Sequence, residues 1–208
     1  MGVGMELLVS ELQTRSVYQL LSGCVVPRPI AWVTSVSPEG RVNAAPFSCY
    51  TFISSAPPLL AISCGRKAGI IKDTIANAEA TQEFVLNVVD EDLIVPMHKS
   101  SAEFPSSMSE IEALDIATVP SRMVAVPRIA KAPVSLECRV QQILEFGTLK
   151  TQLLIGEVLV FHVRDDLYQD GKIATANLRP LARLGGPFYA RLGEIIRMEP
   201  VAEYHYSR

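Results

Sequence analysis

Apolar and polar residues alternate along much of this chain with the two-residue period of a half-buried strand. In residues 134–141 every second residue is apolar, and TQLLIGEVLVFHV (151–163) follows Gly147 as the predicted hairpin partner. Three other runs are rich in β-branched or other apolar residues, which favours strands. They are IAWVTSV (30–36), LLAISCG (59–65) and EFVLNVV (83–89).

Turn signals and one helical repeat fill the spaces between these runs. Ser37-Pro38-Glu39-Gly40 predicts a turn into a second strand within RVNAAPFSCYTFIS (41–54), antiparallel to the first. Asp170-Gly171 predicts a further turn, and LGEIIRME (192–199) predicts a last strand. Isoleucines and an alanine at helical spacing predict an amphipathic helix from about 69 to 80.

The order of these elements predicts the fold class. Strands joined by turns, with helices inserted, indicate a mainly β, mostly antiparallel barrel. Strands and helices do not alternate regularly, so a doubly wound sheet is not predicted. A length of 208 residues with 49% hydrophobic residues suits one domain spanning 1–208 with a sizeable core.

Composition narrows the function classes. A net charge of −3 disfavours nucleic acid as a partner. The four cysteines form no C-x-x-C pair and no zinc-ligand spacing, so no metal site is predicted, and they look like small buried residues of a reducing compartment. No apolar run approaches the roughly 18 residues of a membrane helix, and the acidic N-terminus is a poor signal peptide, so we expect a soluble cytoplasmic protein.

The stretch GRKAGIIKDTIANAE (65–79) places basic residues at the start of the predicted helix. Arg66, Lys67 and Lys72 flank Asp73-Thr74. Helix N-termini expose unpaired N–H groups and a partial positive charge, which together suit a phosphate. Taken alone, the same residues also describe a solvated, capped helix start. Neither the P-loop nor the Rossmann glycine spacing occurs in the chain.

Two other segments carry candidate chemistry. NAAPFSCYTFIS (43–54) combines small residues, aromatic walls and hydroxyls, and PLARLGGPFYARLG (180–193) holds Arg183 and Tyr189 around a Gly-Gly pair. Read alone, the first is ordinary strand and the second a loop with a surface arginine. No Ser-His-Asp arrangement or H-E-x-x-H motif stands out, so no catalytic residue is predicted. That pattern fits a reaction whose chemistry a cofactor performs.

Three segments in order resemble the flavin reductase-like, FMN-binding split-barrel family, which includes flavoredoxin. They are PRPIAWVTSVSPEGRVNAAPFS, PPLLAISCGRKAGIIKDTIANAEATQEFVLNVV and PLARLGGPFYARLG. The resemblance implies a six-stranded antiparallel split β-barrel, a homodimer, and FMN bound in a groove near the subunit interface.

Carried over position by position, the resemblance also implies a cofactor-binding set. Thr34 and Ser35 would lie along the ribityl chain and phosphate. The ring would be lined by Ala45, Pro46, Phe47, Ser48, Cys49 and Tyr50. The phosphate would be held by Ser63, Arg66, Lys72, Asp73 and Thr74. Arg183 and Tyr189 would border the flavin site.

The function that follows is an NAD(P)H-dependent flavin reductase. Hydride would pass to the flavin and electrons onward to free flavin, a partner monooxygenase or ferric iron. An alternative is a flavoredoxin-like electron carrier or flavin-binding module without its own NAD(P)H activity, because fold does not fix function. A third reading is an interaction domain without a cofactor.

Overall fold

The computed structural model describes residues 4–66 and 69–199. Lys67, one of the basic residues singled out above, lies outside them. The helices are α1 (Thr14–Cys24), α2 (Asp73–Thr81), α3 (Ile94–Lys99), α4 (Glu110–Ala113) and α5 (Thr175–Leu178), with 3-10 helices at Val9–Glu11, Glu91–Leu93 and Asp165–Leu167. The strands are β1 (Arg28–Pro29), β2 (Ala31–Val36), β3 (Val42–Phe47), β4 (Tyr50–Ser55), β5 (Pro58–Cys64), β6 (Glu83–Val88), β7 (Thr118–Val119), β8 (Arg128–Ile129), β9 (Val134–Phe146), β10 (Thr151–Val163), β11 (Tyr168–Gln169), β12 (Lys172–Ile173), β13 (Leu181–Arg183) and β14 (Tyr189–Arg191).

The main sheet is antiparallel and has the strand order β3-β2-β6-β9-β10-β5-β4. β3 and β4 lie at opposite ends of that order, yet only Ser48 and Cys49 separate them in the chain. Such a link spans roughly 10 Å at most. The sheet therefore curls until its two ends meet, which forms a barrel. The single strand expected over 41–54 is wrong, because the chain changes from one end of the sheet to the other at this corner.

Alternate side chains of six strands fill the barrel interior. Ala31 and Val33 of β2 face the same core as Phe84 and Leu86 of β6. The apolar side of α2 also enters this core, where Ile75 is fully buried. The antiparallel barrel class is confirmed. The strand count differs from the six expected, because β4 adds a seventh strand to the sheet.

The opposite face of the sheet is covered by residues 90–133. Trp32 of β2 packs there against Met97 and Ile111. Asn87 of β6 accepts from the Ile129 backbone at 3.0 Å, and Glu137 of β9 accepts from two further backbone N–H groups. This covering layer makes β2, β6 and the first five residues of β9 buried on both faces.

Several element boundaries depart from the sequence predictions. The helix expected from 69 begins at Asp73, because Gly69 has a left-handed φ of 81° and Lys72 is extended. The strand expected over 192–199 is wrong, since no strand of the described residues pairs there. The turn at Asp170-Gly171 is confirmed between β11 and β12.

The four cysteines fall into two groups that differ in burial. Cys64 and Cys138 are buried in the barrel, as expected, whereas Cys24 and Cys49 are exposed. Cys24 ends α1, a helix without buried residues, and Cys49 lies at the β3–β4 corner. The expectation of buried cysteines is therefore wrong for these two. Among the described residues, no helix is long and apolar enough to cross a membrane.

Candidate functional site

The β3–β4 corner and the start of α2 lie side by side at one end of the barrel. The Ser63 N–H donates to the Cys49 carbonyl at 2.8 Å, which joins the corner to β5. The Lys72 amine lies 5.0 Å from the centre of the Phe47 ring. Closure of the barrel thus brings together predicted ring-lining residues and predicted phosphate residues that are more than a dozen positions apart in sequence.

The outer edge of β3 is partly occupied and partly open. The Val42 carbonyl accepts from the Ser109 hydroxyl at 2.6 Å, and the Ala44 N–H donates to the Glu110 carboxylate at 3.0 Å. The even-numbered residues of β3 therefore direct their backbone N–H and C=O groups away from β2. The next groups along this edge are the Pro46 carbonyl and, just past the end of β3, the Ser48 N–H, both on partly exposed residues, whereas Ala44 is fully buried. No hydrogen bond within residues 4–66 and 69–199 reaches these groups from a neighbouring element.

Pro46 makes this open stretch a poor edge for another strand. It has no N–H to donate, so a ladder of backbone hydrogen bonds could not continue across it. The stretch from Pro46 to Ser48 instead offers a backbone acceptor and a backbone donor beside an exposed Cys49. Such a pair suits a flat ligand with donors and acceptors along one side.

The start of α2 carries an amine available for an anion. The first N–H groups of any helix lack intrahelical partners, and Lys72 immediately precedes the helix. Within the described part of the chain, no carboxylate forms an ion pair with the Lys72 amine. Asp73 accepts from the Ser106 hydroxyl at 2.7 Å. Thr74 is buried, and its hydroxyl already donates to Asn43 at 2.9 Å.

Arg66 is engaged by the β9–β10 hairpin. Its guanidinium forms an ion pair with Glu145 at 2.7 Å and donates to the Lys150 carbonyl at 3.0 Å. The side chain is 19% exposed. A phosphate would share this cation with Glu145, so Lys72 is the less encumbered of the two predicted cations.

Thr34 and Ser35 point to opposite faces of β2. The Ser35 hydroxyl accepts from Asn77 of α2 at 3.1 Å. The Thr34 hydroxyl donates to the Pro127 carbonyl at 2.7 Å, beneath the outer layer. Consecutive strand residues alternate in direction, so the structure does not bring both side chains to one surface. Neither hydroxyl is exposed.

Arg183 and Tyr189 lie together on the small sheet formed by β1, β13 and β14. The guanidinium stacks 4.7 Å from the Tyr189 ring centre and donates to its hydroxyl. His98 of α3 lies 2.8 Å from the same hydroxyl. Tyr189 also packs on the cluster that contains Ala44 of β3. Sequence reasoning missed His98, because 91 positions separate it from Tyr189 and no motif links them.

Burial changes the titration of two groups near this region. It raises the pKa of Tyr50 to about 12, so the phenol stays protonated at neutral pH. It also raises the pKa of Glu110, and hydrogen bonds from Ala44 and Asn43 act in the opposite direction. Glu110 was not singled out from the sequence, because nothing in its neighbourhood marks it as buried.

Two surface depressions lie beside the β2–β3 turn rather than at the corner. One is open, about 620 Å³, and includes Arg41 and Met108. The other is a cleft of about 300 Å³ between that turn and α2, and it includes Asp73. Neither depression includes a residue of the β3–β4 corner.

Comparison with known proteins agrees with this architecture. Residues 22–178 match the family model described as flavin reductase like domain. An uncharacterized protein of Halalkalibacterium halodurans is 42% identical over 200 residues, which cover 94% of this chain and 96% of that protein.

Two solved structures are similar throughout. Nitrilotriacetate monooxygenase component B from Bacillus cereus has a TM-score of 0.92 and 36% identity, covering 95% of this chain and 100% of its own. The 2-nitrobenzoate 2-nitroreductase of Pseudomonas fluorescens has a TM-score of 0.88 and 32% identity, covering 98% and 100%. Their names differ in activity, so this shared fold does not identify an electron acceptor.

Proposed function

Because the chain belongs to the flavin reductase-like domain family, we propose that it is an FMN-binding oxidoreductase of the flavin reductase type. NADH or NADPH delivers a hydride to the bound flavin, and electrons pass to free flavin, a partner monooxygenase or ferric iron. The whole chain, residues 1–208, acts as one flavin-binding domain in the cytoplasm.

The observation that carries this proposal is the coincidence of an open backbone edge and an available amine at one corner. The pyrimidine side of a flavin ring carries an N–H donor and carbonyl acceptors. The Pro46 carbonyl and the Ser48 N–H, on partly exposed residues, provide complementary groups next to each other. The phosphate of FMN carries about −1.5 to −2 charges at neutral pH and suits the Lys72 amine and the α2 start. The residues present therefore fit FMN.

In this arrangement the protein contributes binding and orientation. FMN, when bound, supplies a ring atom that accepts and releases hydride, so no side chain needs to act as a base. Backbone groups at the end of β3 fix the ring in its plane, and the partly buried Tyr50 provides apolar contact, while Phe47 packs in the barrel core. Lys72 and the helix start hold the phosphate and place positive potential near a ring that becomes more negative on reduction.

The similar structures support a range of acceptors. One bears the name of a monooxygenase component and the other that of a nitroreductase, at 36% and 32% identity. Both names describe redox reactions of small molecules. The proposal for this chain accordingly keeps free flavin, a partner monooxygenase and ferric iron as acceptors.

A homodimer is part of the same proposal. None of the residues of α1 is buried, and Tyr18 and Leu21 are 70% and 57% exposed. An amphipathic helix that leaves its apolar side uncovered favours association. Analytical ultracentrifugation is expected to give about twice the 22.7 kDa of one chain. A monomer across the micromolar range would contradict this part.

Anaerobic stopped-flow absorbance tests the reductase proposal. The protein is loaded with FMN and mixed with NADH or NADPH, and bleaching of the visible absorbance band of oxidised flavin is the expected result. If the protein binds no flavin, the proposal is wrong. A bound flavin that both nucleotides leave oxidised, but that a reduced redox partner bleaches, would favour the electron-carrier alternative.

A further inference from the structure

A buried polar network joins the open edge of β3 to the start of α2. Glu110 is 6% exposed, and its carboxylate accepts from the Asn43 amide nitrogen at 2.9 and 3.0 Å. The same carboxylate accepts from the Ala44 N–H at 3.0 Å. On its other side, the Asn43 carbonyl oxygen accepts from the Thr74 hydroxyl at 2.9 Å.

The direction of each hydrogen bond in this network follows from chemistry. An ionised carboxylate only accepts, so the amide nitrogen of Asn43 must face Glu110 and the amide oxygen must face Thr74. The chain of bonds therefore runs from Thr74 through Asn43 to Glu110. Glu110 also occupies the place of a neighbouring strand on β3, and the open stretch begins where its contact ends.

The two ends of the network belong to different parts of the proposed cofactor site. Ala44 is buried and immediately precedes the partly exposed stretch of β3 that suits the ring, and Thr74 lies in the first turn of α2, beside Lys72. We propose that Glu110 is a positioning residue that fixes, through Asn43 and Thr74, the separation between the ring site and the phosphate site. This inference rests on the proposed function and adds a residue outside its binding surface.

The proposal makes a distinction among ligands. FMN spans both sites and depends on their separation, whereas lumiflavin has the ring alone and depends only on the β3 edge. Riboflavin carries the ribityl chain without the phosphate, so its affinity should depend on the separation less than that of FMN and more than that of lumiflavin. A residue that merely stabilises the fold would affect the three ligands alike.

Glu110→Gln tests the proposal with little change in shape. Oε2 of Glu110 accepts from both Ala44 and Asn43, and a glutamine oxygen can keep those bonds. Its NH₂ group then faces the Asn43 NH₂ group from which Oε1 accepts at 2.9 Å, so one hydrogen bond becomes a donor–donor contact. We expect FMN affinity to fall about tenfold, as for loss of a hydrogen bond to a charged group. Lumiflavin affinity is expected to stay within about twofold. Fluorescence titration of apoprotein measures both.

Two further variants complete the design. Thr74→Val is nearly isosteric and breaks the link at its far end, so it should reproduce the selective loss of FMN affinity, and the double variant should be less than additive. Glu112→Gln changes an exposed carboxylate on the same helix and should leave every affinity unchanged. Backbone hydrogen exchange in the apoprotein provides a ligand-free measurement, with faster exchange expected over residues 73–76 in Glu110→Gln.

The possible outcomes distinguish the positioning role of Glu110 from the proposed flavin-binding function on which it rests. Equal weakening of FMN and lumiflavin, or no weakening of FMN, would overturn the positioning role while leaving flavin binding by the wild type intact. If Glu110→Gln does not fold, Thr74→Val decides the question by the same comparison. A wild-type protein that binds none of the three flavins overturns the proposed function itself.

Discussion

Replacing Lys72 with methionine isolates the charge that is proposed to hold the phosphate. The Lys72 amine lies 5.0 Å from the centre of the Phe47 ring, and methionine keeps an unbranched apolar stem that can still cover the ring. Among the described residues the amine has no carboxylate partner, so its removal leaves no buried anion behind. The variant should therefore fold with nearly normal stability, losing at most ~1 kcal/mol from the cation–π contact.

The expected effect on FMN is larger than the effect on the fold. A charge-assisted contact between an ammonium group and a phosphate contributes ~1.5–3 kcal/mol, which corresponds to roughly 10- to 150-fold weaker binding of FMN. Riboflavin has no phosphate, so its affinity should change by about twofold or less. The preference of the wild type for FMN should also narrow as salt rises, because salt weakens ion pairs between exposed groups.

Isothermal titration or flavin fluorescence quenching on apoprotein measures both affinities. Lys131→Met provides the matched control, since Lys131 is an exposed lysine far along the chain from the corner. Equal weakening of FMN and riboflavin by Lys72→Met would refute the reasoning, and so would an unchanged affinity for FMN. Either result would favour the alternative interpretation, in which the start of α2 is only a solvated, capped helix start.

Three predictions concern the fold. Gly156→Ala should lower the free energy of unfolding by ~1–3 kcal/mol, because the added Cβ would overlap the ring of the buried Phe84. An unchanged midpoint in urea unfolding would contradict this. Burial tends to raise the pKa of Glu137, but hydrogen bonds from two backbone N–H groups and His162 outweigh it and lower the pKa. Ionised Glu137 thus stabilises the fold above the ordinary carboxyl pKa of 4.5, and this contribution is lost as pH falls through the lowered value. Glu137→Gln should lower the free energy of unfolding by ~1–3 kcal/mol at pH 7 and by less at about pH 3–4. A difference from the wild type that does not depend on pH would argue against a stabilising role of the ionised carboxylate. Asn87→Leu should lower the free energy of unfolding by ~2–4 kcal/mol, because the fully buried amide has hydrogen-bond partners on β2, β8 and β9. A melting temperature within ~2 °C of that of the wild type would contradict this bridging role.

Local patterns were sufficient for most strands and for the composition of the site. Alternation over 134–141 and the apolar run over 83–89 predicted β9 and β6, because one side of each strand faces a core whatever its neighbours are. The ordered segments around residues 45–50 and 65–74 carried a family resemblance that the comparison confirmed. The start of α2 was predicted four residues too early, since Gly69 and Ile70 continue the apolar spacing although the backbone is not helical.

Tertiary structure decided which predicted residues share a surface. The change of sheet end at Ser48 and Cys49 closes the barrel, and it places Lys72 over Phe47. No local pattern encodes such a closure, because pairing partners are chosen by the whole sheet. Thr34 and Ser35 point to opposite faces of β2 because strand residues alternate, and the fold decides that one face meets α2 and the other the outer layer.

The sequence by itself determined an antiparallel β fold, a basic helix start and membership of a flavin-related family, because periodicity, turn residues and motifs are local properties. Only the tertiary structure decided that Arg66 is shared with Glu145, that Lys72 is without a carboxylate partner among the described residues, and that Glu110 ends the open edge of β3. Those facts depend on burial and on partners from distant segments. A side chain acquires them only when the fold excludes water around it and brings those partners within hydrogen-bonding distance.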